Sequence, residues 1–320
     1  MKLSLVVPCY NEEGNVRAFY DAAKAVFAAA PYACEFVFVD DGSADGTFRE
    51  LQKLIALHEM PVKVVSFSRN FGKESAIYAG LRNASGDYVS LIDADLQQRP
   101  EVVRQMMDIL LDEPDCDCVV AYQEKRREGG LMTAMKRGFY RLIDRMSDVR
   151  FHENASDFRT LSRRMVNAIL EMGEYHRFSK GLFAWVGFSV RYIPYEVQAR
   201  TSGESKWSVR KLFRYAFDGI LSFSTAPLRA VTVCGAGSAF AAFVYLIVVI
   251  VQKLTAGIAV PGYATIVVLL LFLGGLQLLG LGIIGEYVGK IYMECKKRPI
   301  YIVRTVLDSE ASDGKDQGAV

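Results

Sequence analysis

The sequence is poor in the residues that build disulfide frameworks and zinc sites. Six cysteines and three histidines occur among 320 residues, and no Cys-x-x-Cys pair is present. Cysteines scattered in this way are typical of small buried side chains, which argues against a disulfide-stapled scaffold or a redox centre. An excess of charge is also missing, because a formal net charge of +2 is too small to indicate nucleic acid as the main partner.

Two nucleotide-binding signatures are absent as well. No Gly-x-Gly-x-x-Gly follows the first strand-like run, and no Gly-x-x-x-x-Gly-Lys-[Ser/Thr] occurs in the chain. These absences argue against a dinucleotide-dependent enzyme and against a P-loop nucleotidase.

Apolar residues are abundant and unevenly distributed. They make up 51% of the chain, and the mean hydropathy is +0.16. Two uncharged runs, 230–251 and 263–285, are each about as long as the ~20 residues that cross a bilayer as a helix. The runs predict a transmembrane hairpin, and two buried core helices are the alternative. Glycine and alanine residues within the runs would allow close helix approach and association of several copies.

Basic residues flank the two apolar runs on their outer sides. Lys253 is the only basic residue in the loop between the runs. The flanking cations are Arg210, Lys211, Arg214 and Arg229 before the first run, and Lys290, Lys296, Lys297 and Arg298 after the second. By the positive-inside rule, we expect a multi-pass protein of the plasma (inner) membrane with both termini cytoplasmic. The N-terminus shows no signal peptide, which places the large N-terminal part in the cytosol.

The first two thirds of the chain alternate strand-like and helix-like segments, which predicts a mostly parallel, doubly wound α/β sheet. The predicted strands are 3–7, 35–39, 62–67, 88–92 and 118–122, and the predicted helices are 12–29, 46–58, 73–83 and 101–112. Asn11 and Pro100 are candidate start signals for two of the helices.

We expect four consecutive regions. They are an α/β domain over 1–205, an amphipathic interfacial helix over 206–228, a membrane hairpin over 229–288, and a tail over 289–320 that is disordered after Arg304. Ordinary core packing is the alternative for the apolar side chains of 206–228.

Acidic clusters follow three of the predicted strands. They contain Glu12 and Glu13; Asp40, Asp41 and Asp45; and Asp93 and Asp95. In a parallel sheet these clusters would meet at one edge and repel each other unless a cation or hydrogen-bond donors lay among them. Asp93-x-Asp95 suits Mg²⁺ or Mn²⁺ bound together with nucleotide phosphates. Ordinary turns or helix caps are the alternative.

At these residues the sequence resembles the family 2 glycosyltransferases of the GT-A fold. Within them it is most similar to polyprenyl-phosphate glycosyltransferases, such as the dolichol-phosphate mannosyltransferases and the bactoprenol glucosyltransferases. The motifs that carry the resemblance are PCYNEE (8–13), DDGSADGT (40–47), SRNFGKE (68–74), DADLQ (93–97), DFR (157–159) and GESKW (203–207).

The resemblance implies roles for individual residues. The nucleotide-sugar pocket would be formed by Pro8, Tyr10, Glu12, Val39, Asp40, Asp41, Asp93, Ala94 and Asp95. The metal would be held by Asp95, with Gln97 and Asp93. Catalytic roles would fall to Asp95, Asp157, Arg200 and Lys206. The sequence departs mildly from the family pattern at 98–101, at the edge of this site.

A lipid monophosphate acceptor is already an anion, so it needs a cationic clamp rather than a base. Candidate clamp residues are Arg127, Arg137, Arg141, Arg159, Arg200 and Lys206. The basic cluster around Arg127 could equally form a solvated helix face or attract anionic lipid. Asp157 could act as a base, orient an arginine, or form a structural pair with Arg159.

The expected function is the inverting, metal-dependent transfer of one hexose to undecaprenyl phosphate at the cytosolic membrane face. UDP-glucose is the first expectation for the donor and GDP-mannose the second, and the product would serve cell-envelope glycan modification. Processive synthases of the superfamily carry a Gln-x-x-Arg-Trp motif. The residues that precede Trp185 do not form this motif, which favours transfer of a single sugar over polymer synthesis. Transfer to a protein or glycan hydroxyl is the enzymatic alternative, and a membrane module that senses nucleotide-sugars is the non-enzymatic one.

Overall fold

The computed structural model describes residues 1–123, 155–196, 224–256 and 262–310. These residues divide into two compact units. The first unit contains 1–123, 155–196 and 298–310, and the second contains 224–256 and 262–297. Strands and helices are numbered below within these described ranges.

The first unit is an α/β domain built on one sheet of eight strands. The strands are β1 Lys2–Cys9, β2 Ala33–Asp40, β3 Val62–Phe67, β4 Tyr88–Leu91, β5 Cys118–Gln123, β6 Ala155–Ser162, β7 Val190–Tyr195 and β8 Val303–Asp308. Its helices are α1 Val16–Phe27, α2 Thr47–Ile55, α3 Lys73–Asn83, α4 Pro100–Asp112, α5 Arg163–Glu171 and α6 Ser179–Trp185.

The strands are arranged in the order β7-β5-β6-β4-β1-β2-β3-β8. Strands β4, β1, β2 and β3 are parallel neighbours, and β5 is parallel to β7. Strand β6 runs antiparallel to both β4 and β5, and β8 runs antiparallel to β3. The predicted mostly parallel α/β sheet is confirmed. Its antiparallel members β6 and β8, and the edge strand β7, were not predicted.

Helices cover both faces of the sheet, as alternation along β1 shows. Leu3, Leu5 and Val7 pack in the layer that contains α1, α2 and α4. Val6 points to the opposite face and packs in the layer of α3 and α5. Apolar residues on both faces explain why the central parallel strands read as nearly continuous hydrophobic runs in the sequence.

The two predicted helix start signals have different outcomes. Pro100 is the first residue of α4, where its missing N–H costs nothing. Asn11 does not begin a helix, because α1 starts at Val16 after Asn15. Asn11 instead adopts a left-handed conformation with a φ of 57°, and its side-chain oxygen accepts the Ala44 N–H at 3.0 Å.

The C-terminal segment corrects the expectation that the chain is disordered after Arg304. Strand β8 pairs with β3, and the Ser309 hydroxyl oxygen accepts the Val62 N–H at 2.8 Å. The Tyr301 ring stacks on Phe67 with 4.8 Å between ring centres. Residues 305–308 are therefore part of the sheet, whereas 311–320 lie outside the described residues.

The second unit contains two long helices, α7 Ala226–Ala256 and α8 Tyr263–Cys295. Within each of the apolar stretches Ala226–Gln252 and Val268–Cys295, a window of 18 residues has a mean hydropathy of 2.3. The buried share of that window is 0% in the first helix and 6% in the second. Helices of this length and composition are able to cross a bilayer. Their exposure contradicts the alternative of two buried core helices. Most of the predicted interfacial helix, 206–223, lies outside the described residues.

A buried carboxylate connects the central strands at the sheet edge opposite the acidic clusters. Glu35 of β2 accepts hydrogen bonds from the Ser4 hydroxyl at 2.5 Å and from the Ser85 N–H at 2.7 Å. Its second oxygen lies 2.6 Å from the Lys2 ammonium. Burial by itself would raise the pKa of Glu35, but these donors outweigh it and lower the pKa below its ordinary value.

We predict that Glu35→Gln destabilises the protein near pH 7 by about 2 kcal/mol, because charge-assisted hydrogen bonds are lost. Since the folded-state pKa is lowered, this stabilisation is complete above the unfolded pKa of about 4.3. It is lost as the pH falls through the folded-state pKa. The apparent melting temperature of the full chain in detergent, measured from pH 7 down to pH 3.5, should therefore differ most from wild type at neutral pH.

Glu171→Gln is the matched control, because Glu171 is exposed at the end of α5. It should melt like wild type throughout the range. A melting difference for Glu35→Gln that stays constant down to pH 3.5 would contradict the proposed role of the Glu35 charge.

Candidate active site

Strand register brings the acidic clusters to one edge of the sheet. Cys9 at the end of β1 pairs with Asp40 at the end of β2, and Val6 pairs with Leu91 of β4. The residues that follow these strands therefore emerge side by side. Tyr10 is exposed there, with 48% of its surface accessible, so its ring is available to a ligand.

Glu12 shows how close the carboxylates lie. Burial raises its pKa first, and the negative charges of Asp95, Asp93 and Asp45 raise it further. A hydrogen bond of 2.6 Å from the Asn15 side-chain amide opposes the shift. Carboxylates from three different loops therefore converge at this edge, as the sequence predicted.

Asp40 and Asp41 are buried and hold the surrounding loops. Asp40 accepts the Ser43 N–H at 3.0 Å and the Ser66 hydroxyl at 2.7 Å. Asp41 accepts the Phe71 N–H at 2.7 Å and the Gly72 N–H at 2.9 Å, and burial raises its pKa. Both carboxylates are thus engaged within the chain and fix the loops that shape the site.

Gly42 allows the loop after β2 to lie against the loop after β3. Its φ is +64°, and a Cβ atom would lie 2.3 Å from the main chain of Arg69. Only glycine fits this close approach without displacing backbone.

The third acidic cluster is held by a glutamine that the sequence analysis treated as a departure from the family pattern. The Gln98 side chain accepts the Asp93 N–H at 2.9 Å and donates to the Asp93 carboxylate at 3.2 Å. Asp95 accepts the Gln97 N–H at 3.1 Å. The preceding Ala94 is buried, at 2% exposure.

Lys73 is a site residue that the sequence patterns did not indicate, although it lies in the SRNFGKE motif. Its ammonium lies 2.7 Å from Asp93 and 3.6 Å from Asp157 of β6. Burial by itself would lower the Lys73 pKa, but these two carboxylates outweigh it and raise the pKa. Lys73 therefore links the Asp-x-Asp cluster with the antiparallel strand.

Asp157 is held in its ionised form. Burial would raise its pKa, but Lys73, Lys180 and Arg159 together lower it. The Asp157 ion pair is with Lys73 rather than with Arg159. Arg159 is 4% exposed, donates to the Ser156 carbonyl at 2.8 Å, and lies 4.1 Å above the Phe183 ring. Arg159 is thus buried and held by contacts within the chain, and the phosphate-binding role predicted for it stays a prediction.

Of the remaining predicted residues, Pro8 and Val39 lie in the central strands β1 and β2 beside these clusters. Five predicted clamp or catalytic residues lie outside the described residues: Arg127, Arg137, Arg141, Arg200 and Lys206.

The donor set suits a hard divalent cation that is shared with a ligand. Within the described ranges, no group of three His, Cys, Asp or Glu side chains is positioned to hold a metal alone. Mg²⁺ and Mn²⁺ commonly use only one or two carboxylates together with substrate phosphates and water. Asp93 and Asp95 supply such oxygens. Their negative charges, which add to burial in raising the pKa of Glu12, are charges that a cation would neutralise.

Comparison with known proteins agrees with this architecture. Residues 4–170 match the family described as Glycosyl transferase family 2. The prophage-derived bactoprenol glucosyl transferase of Shigella flexneri is 41% identical over 305 residues, which cover 95% of this chain and 98% of the relative. A prophage bactoprenol glucosyl transferase homolog of Escherichia coli is 40% identical over 307 residues, covering 96% and 99%.

Among solved structures, glucosyl-3-phosphoglycerate synthase from Mycobacterium tuberculosis matches 69% of this chain and 78% of its own. The identity is 21% and the TM-score is 0.48. The match over 4–170 spans the sheet edge with its three acidic clusters, and the relatives match nearly the whole chain. This chain therefore belongs to glycosyl transferase family 2 and is a glycosyltransferase.

Proposed function

We propose that the protein transfers one hexose from a nucleotide-sugar to undecaprenyl phosphate at the cytosolic face of the plasma membrane. The transfer inverts the anomeric centre and uses Mg²⁺ or Mn²⁺. UDP-glucose is the proposed donor, with GDP-mannose as the alternative, and the product is a polyprenyl-phosphate sugar for cell-envelope glycans.

One observation carries the choice of acceptor and sugar. The relatives named bactoprenol glucosyl transferase match this chain over 95% of its length, so the similarity includes both apolar helices as well as the α/β domain. Bactoprenol is another name for undecaprenol. A lipid acceptor also gives the two exposed apolar helices a purpose, because they would keep the active site next to the bilayer.

The convergent carboxylates support a nucleotide-sugar donor. Asp93 and Asp95 would hold the metal, which when bound offsets the negative charge of the donor diphosphate and of the departing nucleotide. Tyr10 offers an exposed ring for the base. The loops fixed by Asp40 and Asp41 keep this pocket in shape before the donor arrives.

The state of Asp157 favours a phosphate acceptor over a hydroxyl acceptor. A phosphate oxygen attacks the sugar carbon, the bond from that carbon to the diphosphate breaks, and the electron pair leaves with the diphosphate. No proton has to move. A hydroxyl acceptor would need a base poised near neutral pH. The lowered pKa of Asp157 makes it a weak base, so its charge is better suited to positioning Lys73.

We predict that the purified full chain, in detergent with undecaprenyl phosphate and Mg²⁺ or Mn²⁺, converts radiolabelled UDP-glucose into an organic-soluble product. EDTA should abolish this product, because the carboxylate cluster then repels the donor diphosphate. GDP-mannose, assayed in parallel, tests the alternative donor. The measurement is label extracted into the organic phase.

The absence of a lipid product with every donor would overturn the proposed acceptor. Unchanged turnover in EDTA would overturn the metal requirement. Label transferred to protein or glycan, without lipid product, would favour the hydroxyl acceptor instead.

We predict that Asp95→Asn lowers kcat at least 100-fold, because a neutral amide is a poor ligand for a hard divalent cation. Asp108→Asn is the matched control, since Asp108 is exposed on α4 away from the strand ends. It should retain wild-type turnover. The measurement is initial rate against donor concentration, with melting temperatures to verify folding. Wild-type kcat in folded Asp95→Asn would exclude Asp95 as a metal ligand.

A further inference from the structure

A cavity adjoins the first turn of α3, where Gly72, Glu74 and Ser75 line it. Its volume is about 350 Å³, within the usual range for ligand pockets. Its walls include Arg69, Phe71, Glu74, Arg177 and Ile300. None of the carboxylates assigned above to the metal or the donor lines it.

The first turn of α3 contributes neighbouring side chains to the carboxylate site and to this cavity. Lys73 reaches Asp93 in the carboxylate site. Glu74 lines the cavity, where its carboxylate accepts hydrogen bonds from the Ser179 N–H at 2.8 Å and from the Ser179 hydroxyl. Glu74 is the one acidic side chain among the described residues that line the cavity, and its carboxylate already accepts these hydrogen bonds.

Two guanidinium groups, those of Arg69 and Arg177, line this cavity. Within the described part of the chain, neither Arg69 nor Arg177 forms an ion pair within 4.0 Å of a carboxylate. Arg69 lies 4.3 Å above the Phe71 ring, and Arg177 lies 4.3 Å above the Tyr78 ring. Arg69 also donates from Nη1 to the Asn70 carbonyl at 3.4 Å. Stacking of this kind fixes a guanidinium and leaves its remaining N–H groups able to bind an oxyanion.

Arg177 is the more confined of the two. Its Nη1 donates to the Met172 carbonyl at 2.5 Å, but its Nε is buried and lacks a hydrogen-bond acceptor. A buried cationic donor without an acceptor is costly, and an anionic ligand in the cavity would offset that cost. The His176 imidazole, which also lines the cavity, offers a further donor.

The rest of the wall indicates what kind of anion would fit. Phe71 and Ile300 contribute apolar surface, and the volume exceeds that of a bare phosphate. Ile300 follows Cys295, the last residue of the apolar helix α8, by five residues. An anion with an apolar extension suits such a wall better than a free ion does.

We propose that this cavity binds the phosphate of a lipid between Arg69 and Arg177. The lipid is either the prenyl-phosphate acceptor or an anionic lipid of the bilayer, since both present phosphate oxygens on an apolar chain. Only the first source rests on the proposed function. Binding there would involve none of the carboxylates assigned to the metal and the donor.

The test is calorimetric titration of the full chain in maltoside micelles with three probes. They are farnesyl phosphate, dihexanoyl-phosphatidylglycerol, and dihexanoyl-phosphatidylcholine as a control with the same acyl chains and no net charge. Arg69→Gln and Arg177→Gln should each lower the affinity for at least one phosphate probe ten-fold or more. The affinity for phosphatidylcholine should stay unchanged. Arg104→Gln, an exposed arginine on α4, should behave like wild type.

A lower affinity for farnesyl phosphate alone would assign the cavity to the acceptor. A lower affinity for phosphatidylglycerol would assign it to a bilayer lipid. Unchanged affinity for both would overturn the proposal. UDP-glucose is titrated alongside these lipid probes. A loss of affinity confined to UDP-glucose would also overturn the proposal, because the arginines would then belong to the donor site. Arg69 is exposed, so Arg69→Gln keeps the test valid if Arg177→Gln folds poorly.

Asp95→Asn distinguishes this proposal from the proposed function. It should lose turnover and still bind the phosphate probes like wild type. Probe binding without turnover in the wild-type chain would sink the proposed reaction and leave the lipid-phosphate cavity standing.

Discussion

Repulsion between like charges at the carboxyl ends of the parallel strands is the constraint on which the site depends. The register of β4, β1 and β2 forces acidic loops together. Burial raises the pKa of Glu12, and the neighbouring carboxylates raise it further. The chain itself offsets part of this repulsion. Main-chain N–H groups donate to the Asp41 carboxylate, and the Lys73 ammonium pairs with Asp93. What remains is a negative pocket whose charge suits a divalent cation.

Lys73 also couples two parts of the fold with different architecture. Asp93 follows a parallel strand of the central sheet, and Asp157 lies on the antiparallel strand β6. One ammonium group between them makes the position of each carboxylate depend on the other. A displacement of Asp157 on β6 would therefore shift Lys73 and, through it, Asp93, without a direct contact between the two aspartates.

Sequence patterns predicted the strands and helices that have a clear hydrophobic periodicity. Strands β1 to β5 and helices α1 to α4 carry strong periodicity, and the structure places them within a few residues of the predicted bounds. Strand β6 was missed because its sequence, ASDFRTLS, is mostly polar. Lys73 was missed because its partners are distant in the sequence, so only the folded sheet brings them together.

The chain enters the apolar helices from the α/β domain and returns to it as β8, which completes the sheet beside β3. This return has a practical consequence for producing the domain alone. A protein shortened before the apolar helices would lose β8 as well, together with the stacking of Tyr301 on Phe67. Strand β3 would then become a bare edge with unpaired backbone groups, which is a template for aggregation. A soluble version would need the last strand joined back by a linker in place of the two helices.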